Sequence, residues 1–542
     1  MGERKPVLGK RRTGKFKRQP FQIEDIGILA DLDSSANWSE MGAMKTTTAE
    51  WLWQMKLKNI PNPRVLVITT MAGKGTYYES LGEVLPDWDV FTVSTRGAKL
   101  VLNSRPVPFW CDLPNPLHFR PVVVLAHYHC FTNRSCHPKQ LEQVVEMEDG
   151  SEQRVPILND NGTFEMITPF CTGLLRREWD FIVLDEAHKI KNHDAQWTRN
   201  IKKLITKYKH IMTGTGFVNN PAEIWSLLNF LYPKTYTSYN RFYDRYCEWE
   251  DYSGYKKVTG INPRTEQEFK ELVRRVGVRR TMLECFPDIP EPIETVVPVN
   301  LNPVQKRMYD QIQKDLWTLD QKGEPLHSPN VLSLLNRLRQ ISVATPDVTD
   351  DYWSEKYDRR IIEVKLREPS SKLDAAMDII EGLEWDAERR DQIVVFSYFR
   401  DPIELIKARL DKVNISYLHL HTGISEKDMY VMWHDTWPEG NHQVFLSTLG
   451  KGAESINLTA AHRCIFLDQS WSPVQNNQAI GRVYRPGQKH PAQLIYIRAE
   501  GTVDYKVLGA NIEKTGWFNQ IFGDRVIEDE NEQLDMVAGE SD

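Results

Sequence analysis

A chain of 542 residues exceeds what one hydrophobic core organises, so two or more domains are expected. Its 41% apolar and 26% charged residues are those of a soluble globular protein; no apolar run approaches the roughly 18 residues of a membrane span, and no apolar segment follows the basic N-terminus, which argues against a membrane anchor or secretory signal. Seven irregularly spaced cysteines do not read as a disulfide framework, which agrees with a reducing compartment inside the cell.

The net charge of −6 conceals a polarity along the chain. Arg4, Lys5, Lys10, Arg11, Arg12, Lys15, Lys17 and Arg18 crowd residues 3–18, whereas the tail from Glu528 onward is acidic. Two solvated tails, or a basic arm that touches nucleic acid or directs nuclear import, are the readings this charge pattern leaves open.

Next comes Trp38-Ser-Glu-Met-Gly-Ala-Met-Lys-Thr-Thr-Thr48, which ends like a phosphate-binding loop but has Met44 before Lys45 where a glycine is expected. A second candidate, Ala72-Gly-Lys-Gly-Thr76, has the glycines, yet Gly75 follows Lys74, so no hydroxyl stands ready for a magnesium ion. Between them Val65-Leu-Val-Ile68 opens a series of short apolar runs, continued by Val122–Leu125, Phe181–Leu184, Ile393–Phe396, Val444–Leu446, Cys464–Leu467 and Leu494–Ile497. Continuous runs of this length predict strands covered on both faces, as in parallel sheets flanked by helices, so the fold class is α/β and it occurs twice.

His127, His129, Cys130, Cys136 and His137 gather within eleven residues, with Cys111 and Cys171 elsewhere in the same lobe, but without a paired CxxC spacing they do not predict a zinc site. Residues 145–165 read as a polar surface excursion. Phe181-Ile-Val-Leu-Asp-Glu-Ala-His188 is the sharpest signal: a buried strand ending in two carboxylates sets them at the sheet edge where ligands bind. Asp185 is then the candidate magnesium ligand and Glu186 the candidate base for an attacking water, with His188 as a hydrogen-bonding link. Residues 222–285 and 303–345 have helical spacing on either side of the proline-studded Phe286–Pro292. Arg274-Arg-Val-Gly-Val-Arg-Arg280 reads as part of the junction between lobes or as a solvated helix. In Gln478-Ala-Ile-Gly-Arg-Val-Tyr-Arg485 two arginines three apart predict one helix face suited to a transferring phosphoryl group.

Taken together and in this order, DEAH, Thr213-Gly-Thr215 with Asn219-Asn220 and Glu223–Leu231, Ser447-Thr448, Ile456–Ala461 and QAIGRVYRPGQ resemble the Snf-type ATPases of helicase superfamily two, over about residues 20–508. Phe242–Cys247 before Gly260–Asn262 is closer to the annealing-helicase and fork-remodeller branch. The resemblance implies two RecA-like parallel-sheet lobes with helical insertions between them: a basic arm over 1–18, an ATP-binding lobe over 19–290 with an insertion at about 222–285, a connection and insertion over 291–370, a second lobe over 371–510, and a helix with an acidic tail over 511–542. It further implies a minimal motor without accessory domains, working in the cytoplasm, at a nucleoid or in a phage-infected cell, or in a nucleus.

The family's motif order also decides between the two loops, making Ala72–Thr76 a loop after the second strand and Gly42–Thr46 the nucleotide site. By resemblance ATP is held by Gln22, Gly42, Lys45, Thr46, Asp185, Gln478, Arg482 and Arg485, magnesium by Thr46 and Asp185, and catalysis rests on Glu186, Asp185, Lys45, Arg482 and Arg485. Thr70, His127, Tyr128, Ser397 and Thr448 match backbone-tracking nucleic-acid positions, and His188, Thr213, Gly214 and Thr215 match coupling positions. The implied activity is DNA-dependent ATP hydrolysis coupled to translocation on double-stranded or branched DNA without sequence reading, with fork remodelling or annealing as the finer role; no membrane is involved and protein partners are not indicated. A strand-separating helicase of the same superfamily and a nonhydrolysing DNA clamp are the alternatives. Met44 and Ser455 stand where relatives carry glycine, and Met44 predicts weakened rather than abolished nucleotide binding.

Overall fold

Runs of Val, Ile, Leu and Phe become parallel strands here because both faces of each strand are covered. The protein is described from a computed structural model, in which residues 1–16, 94–99, 103–104, 108–120, 133–138, 141, 147–151, 157–165, 168–177, 215–220, 253–254, 316, 320, 324, 328–330, 355–358, 386–389, 425, 453–455 and 523–542 lie outside the described residues. Most of the basic arm, the acidic tail, Cys111, Cys136, His137, Cys171, Thr215, Asn219, Asn220, Ser455 and most of 145–165 therefore fall outside as well. The chain divides into two units, Met1–Arg280 and Thr281–Asp542.

The first unit is built on a nine-stranded sheet. Its strands are β1 (Ser34–Asn37), β2 (Arg64–Thr69), β3 (Asp89–Thr92), β4 (Leu100–Leu102), β5 (Arg105–Val107), β6 (Val122–His127), β7 (Phe181–Asp185), β8 (Tyr208–Met212) and β9 (Gly277–Val278), in the order β9-β1-β8-β7-β2-β6-β3-β4-β5. All neighbours are parallel except β3–β4 and β4–β5. Helices α1 (Pro20–Ala30), α2 (Lys45–Lys56) and α3 (Met71–Val84) supply much of the cover. On one face Leu52, Trp53, Tyr77 and Leu81 pack with Val65, Val67, Val123, Phe181 and Val183. Each fully buried side chain of this kind contributes roughly 1.5–3 kcal/mol. The polar β1, Ser-Ser-Ala-Asn, carries no apolar signal yet is buried, with Ser35 Oγ 2.8 Å from His210 Nδ1 on the neighbouring β8.

The second unit has a six-stranded, all-parallel sheet. Its strands β10 (Ile293–Val299), β11 (Ile393–Ser397), β12 (Tyr417–Leu420), β13 (Val444–Thr448), β14 (Arg463–Phe466) and β15 (Gln493–Ala499) lie in the order β10-β15-β14-β11-β13-β12. Phe396, Phe445, Phe466 and Tyr496 face one core with Ala479 and Val483, while Ile393, Val395, Leu446 and Ile495 face another with Leu373 and Ile380. Helix α4 (Val331–Val343) packs in a third cluster with Met308, Tyr309 and Ile312. A buried polar hub ties these parts together. Lys372, at the start of α5 (Ser371–Glu381), lies 2.5 Å from Asp504 of α7 (Val503–Phe522), and Asp504 also accepts from Ser342 Oγ of α4 at 3.0 Å.

The twice-repeated α/β architecture is the one expected from the apolar runs. Around the helices of 222–285 and 303–345 the structure also has antiparallel hairpins, Cys247–Tyr252 with Tyr255–Ile261, Trp317–Leu319 with Pro325–His327, and Thr345–Ser354 with Arg359–Arg367, which helical spacing does not announce.

Candidate nucleotide site and nucleic-acid contacts

Four strands of the first sheet run in one direction and bring their carboxyl ends together, which is how residues far apart in sequence meet. Asn37, Thr69, His127 and Asp185 end β1, β2, β6 and β7 respectively. After β1 the chain forms the loop 38–44 and enters α2 at Lys45. Gly42 has φ 84°, and Met44, the N-cap of α2, has φ 53° and ψ 33°. A non-glycine residue in this left-handed region is held there against a cost of about 1–2 kcal/mol. Its carbonyl explains how: it accepts from Thr48 N at 3.1 Å, Thr47 Oγ1 at 3.0 Å and Thr48 Oγ1 at 3.1 Å.

Gln22 adds to the same network. Its Nε2 donates to Thr47 Oγ1 at 2.9 Å and Thr48 Oγ1 at 3.0 Å, and its Oε1 accepts from Gln19 N at 3.0 Å. The amide is buried and engaged with protein, so in this structure Gln22 braces the loop instead of presenting a free edge to a base. Lys45 Nζ donates to the carbonyls of Ser39 at 2.8 Å and Glu40 at 2.7 Å. Burial lowers its pKa to about 8, opposed by the charges of Glu186 and Asp185 and reinforced by Arg279.

Asp185 Oδ2 accepts from Thr69 Oγ1 at 2.8 Å, Oδ1 accepts from Glu186 N at 3.0 Å, and its carbonyl accepts from Tyr128 OH at 2.7 Å. Burial, and then the neighbouring Glu186 charge, push its pKa up. Glu186 is a second strained residue, at φ 52° and ψ 50°. Its Oε2 lies 3.3 Å from His188 Nδ1, and that nitrogen lies 3.4 Å from Thr213 Oγ1. Thr213 N donates to Asn37 O at 3.1 Å. A Cβ on Gly214 would meet Ser39 O at 3.3 Å and Met41 N at 3.5 Å, so Gly214 is packed on the loop. His188, Thr213 and Gly214 thus link the carboxylates to the loop around Lys45.

The second glycine-bearing candidate is corrected by the structure. Ala72–Thr76 is not a loop; it lies in the opening turns of α3, whose N-cap Thr70 Oγ1 accepts from Gly73 N at 3.1 Å. The reason for Gly73 is steric: a Cβ there would come within 2.2 Å of Thr69 Oγ1, the hydroxyl that holds Asp185. Lys74 is buried and donates to Val93 O at 3.3 Å, away from the helix start.

Among the positions that the resemblance suggests for nucleic acid, Thr70 is occupied as that N-cap, and His127 Nδ1 accepts from His129 N at 3.1 Å. Burial, with the His129 charge second, lowers the His127 pKa to about 4, so the ring is neutral near neutral pH. Tyr128 is buried against Asp185, and Ser397 is buried, donating to Asp468 Oδ1 at 2.6 Å; both side chains face protein. Thr448 ends β13 and is partly exposed. Of the His/Cys cluster, Cys130 is buried and free.

In the second unit the two arginines do not share a helix face. Arg482 lies in α6 (Pro473–Val483), whereas Arg485 lies beyond its C-cap, Tyr484. They converge through one acceptor: Arg482 Nη1 and Arg485 Nη1 donate to Ile456 O at 3.5 Å and 3.2 Å. Arg482 Nε also donates to Gln478 O at 3.0 Å. Burial lowers the Arg485 pKa, the electrostatic strain of a cation held without a water shell. Thr69 and Tyr77 escape a reading by motif, whereas Arg279 falls in the basic tract 274–280, whose sequence does not announce its bonds to Trp38 O and Glu40 Oε1. Tyr77 is a buried phenol whose ionisation is suppressed by burial and then by Asp185, and nothing in its spacing marks it.

Two family descriptions match the chain: the SNF2-related domain over residues 138–346 and the helicase conserved C-terminal domain over residues 371–487, together more than half of it. The Lys45 loop lies before the first match, so its assignment rests on its own geometry. An ISWI chromatin-remodeling complex ATPase of Arabidopsis thaliana is 27% identical over 358 residues, covering 64% of this chain and 31% of that protein. An uncharacterized ATP-dependent helicase of Mycoplasma pneumoniae is 27% identical over 362 residues, covering 66% and 32%, and the DNA repair and recombination protein RAD26 of Saccharomyces cerevisiae is 26% identical over 367, covering 65% and 32%. The chain spans about a third of the length of these curated relatives. Among solved structures, a Sulfolobus solfataricus SWI2/SNF2 ATPase core in complex with double-stranded DNA matches at 22% identity and a TM-score of 0.38, covering 96% of this chain and 100% of that one. No helix among the described residues is long and apolar enough to cross a membrane.

Proposed function

Because the chain belongs to the SNF2 family of helicase-like ATPases, we propose that it is a DNA-dependent ATPase that couples hydrolysis to movement along double-stranded DNA. The observation that carries this reading is the convergence at one sheet edge of Lys45, at the start of a helix, with the adjacent Asp185 and Glu186, whose charges act on it. A cationic side chain at a helix N-terminus suits the terminal phosphates of ATP. The oxygen donors Asp185 and Thr46 fit a hard divalent cation, and burying two neighbouring carboxylates is costly until a cation joins them. When bound, magnesium would neutralise charge on the phosphates.

The residues then divide the work. Lys45 exchanges its contacts with Ser39 O and Glu40 O for phosphate oxygens. Glu186, held beside His188, orients and deprotonates the attacking water. Arg482 and Arg485, drawn together on Ile456 O, would bring guanidinium charge to the transferring group. The DNA would be gripped by its backbone near Thr70, His127 and Thr448, with Tyr128 and Ser397 shaping those surfaces from beneath, so binding ignores sequence and weakens steeply with salt. Work on branched DNA, in fork remodelling or annealing, is the finer role proposed, in a nucleoid or a nucleus.

Phosphate release measured against duplex, single-stranded and forked DNA and RNA tests the proposal. Stimulation by duplex or forked DNA, with triplex displacement but no strand displacement, is the expected pattern. Equal, unstimulated rates on all substrates, or no hydrolysis by protein that still binds DNA, would replace the motor with the clamp.

A further inference from the structure

The first unit ends at Arg280, and its last residues are zipped onto the loop that holds Lys45. The parallel strand β9 pairs with β1, so closely at Gly277 that a Cβ would meet Ala36 O at 2.0 Å. The pairing continues past the strands: Trp38 N donates to Val278 O at 2.8 Å, Glu40 N to Arg280 O at 2.9 Å, and Arg280 N to Ser39 Oγ at 3.0 Å. The side chains extend it. Arg279 Nη1 donates to Trp38 O at 3.1 Å and Nη2 to Glu40 Oε1 at 3.2 Å. Arg280 Nε donates to the buried Asp25 at 3.0 Å and Nη2 to Glu24 at 2.7 Å, anchoring the exit segment to α1.

Ser39 and Glu40, whose carbonyls receive Lys45 on one side, are therefore gripped on the other by the segment through which the chain leaves this unit. The geometry points to Arg279 and Arg280 as positioning residues that set the shape of the Lys45 loop and make nucleotide affinity depend on how the exit segment 278–280 is docked. Neither touches the reacting atoms. The guanidinium of Arg279 reaches two acceptors at a fixed angle, which a lysine ammonium on its flexible stem does not reproduce. By linkage, whatever undocks the segment weakens nucleotide binding, and nucleotide binding tightens the segment by the same factor.

This inference rests on the ATPase reading only for its nucleotide arm. Amide hydrogen exchange over 38–44 and ATP kinetics are compared for the parent, Arg279→Ala, Arg279→Lys and the milder Glu40→Gln, with exchange over β7 as the control for folding. Arg279→Ala is expected to speed exchange over 38–44 at least tenfold with β7 unchanged, and to raise KM for ATP at least tenfold while kcat moves less than threefold. Arg279→Lys is expected to recover little of either, and Glu40→Gln to shift both in the same direction by a smaller factor. Unchanged exchange over 38–44 in Arg279→Ala and Glu40→Gln would overturn the inference, as would a loss in kcat at constant KM. If Arg279→Ala does not fold, Glu40→Gln decides on the same two readouts. A parent that binds no nucleotide defeats the ATPase reading, and the exchange result then decides this inference by itself.

Discussion

Replacing Met44 by glycine tests how the loop tolerates a side chain where glycine is ordinary. Met44 sits at φ 53° and ψ 33°, a conformation that costs an L-residue about 1–2 kcal/mol and a glycine almost nothing. Against this relief stands the larger entropy that glycine brings to the unfolded chain, roughly 0.5–1 kcal/mol. The loop is held by the Met44 carbonyl, which takes its hydrogen bonds from Thr47 and Thr48, so removing the side chain removes none of them. The difference leaves Met44→Gly between about zero and 1.5 kcal/mol more stable, a rise of at most a few degrees in melting temperature for a unit of this size. Met44→Val, β-branched in the same left-handed conformation, is expected to be less stable than the parent by about 1 kcal/mol or more. Differential scanning fluorimetry with and without ATP and magnesium, paired with steady-state phosphate release, reads both effects. ATPase activity in Met44→Gly should be preserved or raised. A lower nucleotide affinity in Met44→Gly, or a loss of stability beyond about 1 kcal/mol, would mean that the Met44 side chain is needed by the loop and is not a tolerated burden.

The two glycines of Ala72–Thr76 should part company. Gly73→Ala must displace Thr69 from Asp185, losing a hydrogen bond to a charged group worth roughly 1.5–3 kcal/mol, whereas Gly75 has open space around it and Gly75→Ala should stabilise the helix by up to about 1 kcal/mol. Equal loss of ATP binding in both variants would return the phosphate site to this segment. Glu186→Gln should abolish turnover and spare ATP binding in a filter-binding assay; retained hydrolysis removes Glu186 from the base role. Burial holds His210 neutral, with its pKa lowered to about 3 from 6.5, so the unfolded chain takes up more protons between those values. Its contribution is complete above pH 6.5 and is lost as pH falls toward 3, by up to about 1.4 kcal/mol per unit. The raised Asp185 pKa works in the opposite sense, so the comparison is parent minus His210→Asn in denaturant melts at pH 7 and 5. A difference that does not change with pH would contradict the assignment.

Strands with apolar runs on both faces, such as Val65–Ile68 and Phe181–Leu184, are legible because their burial demands that composition. β1 and β8 are not: Ser-Ser-Ala-Asn and Tyr-Lys-His-Ile-Met are buried through partners that lie far off in sequence, His210 for Ser35 and the Phe230 carbonyl for Lys209. The same division runs through the site. Asp185 and Glu186 announce themselves as a charged pair at the end of an apolar strand. Thr69 works through a tertiary contact and has no spacing that marks it, while Arg279 stands in a basic tract that the sequence singles out without showing its partners. Helical spacing predicted one face for Arg482 and Arg485, but the helix stops at Val483, and a carbonyl from another segment brings the guanidinium groups together instead. The glycines of Ala72–Thr76 show the opposite hazard, since Gly73 is required by the crowding of Thr69 and resembles a phosphate loop only in letters.

The most direct measurement is a crystal structure of the protein with magnesium and a nonhydrolysable ATP analogue. The terminal phosphates are expected against Lys45, with Thr46 and Asp185 holding the metal and the Ser39 and Glu40 carbonyls released from the lysine. Phosphates seated at Lys74, or a nucleotide that leaves Lys45 on those carbonyls, would contradict it.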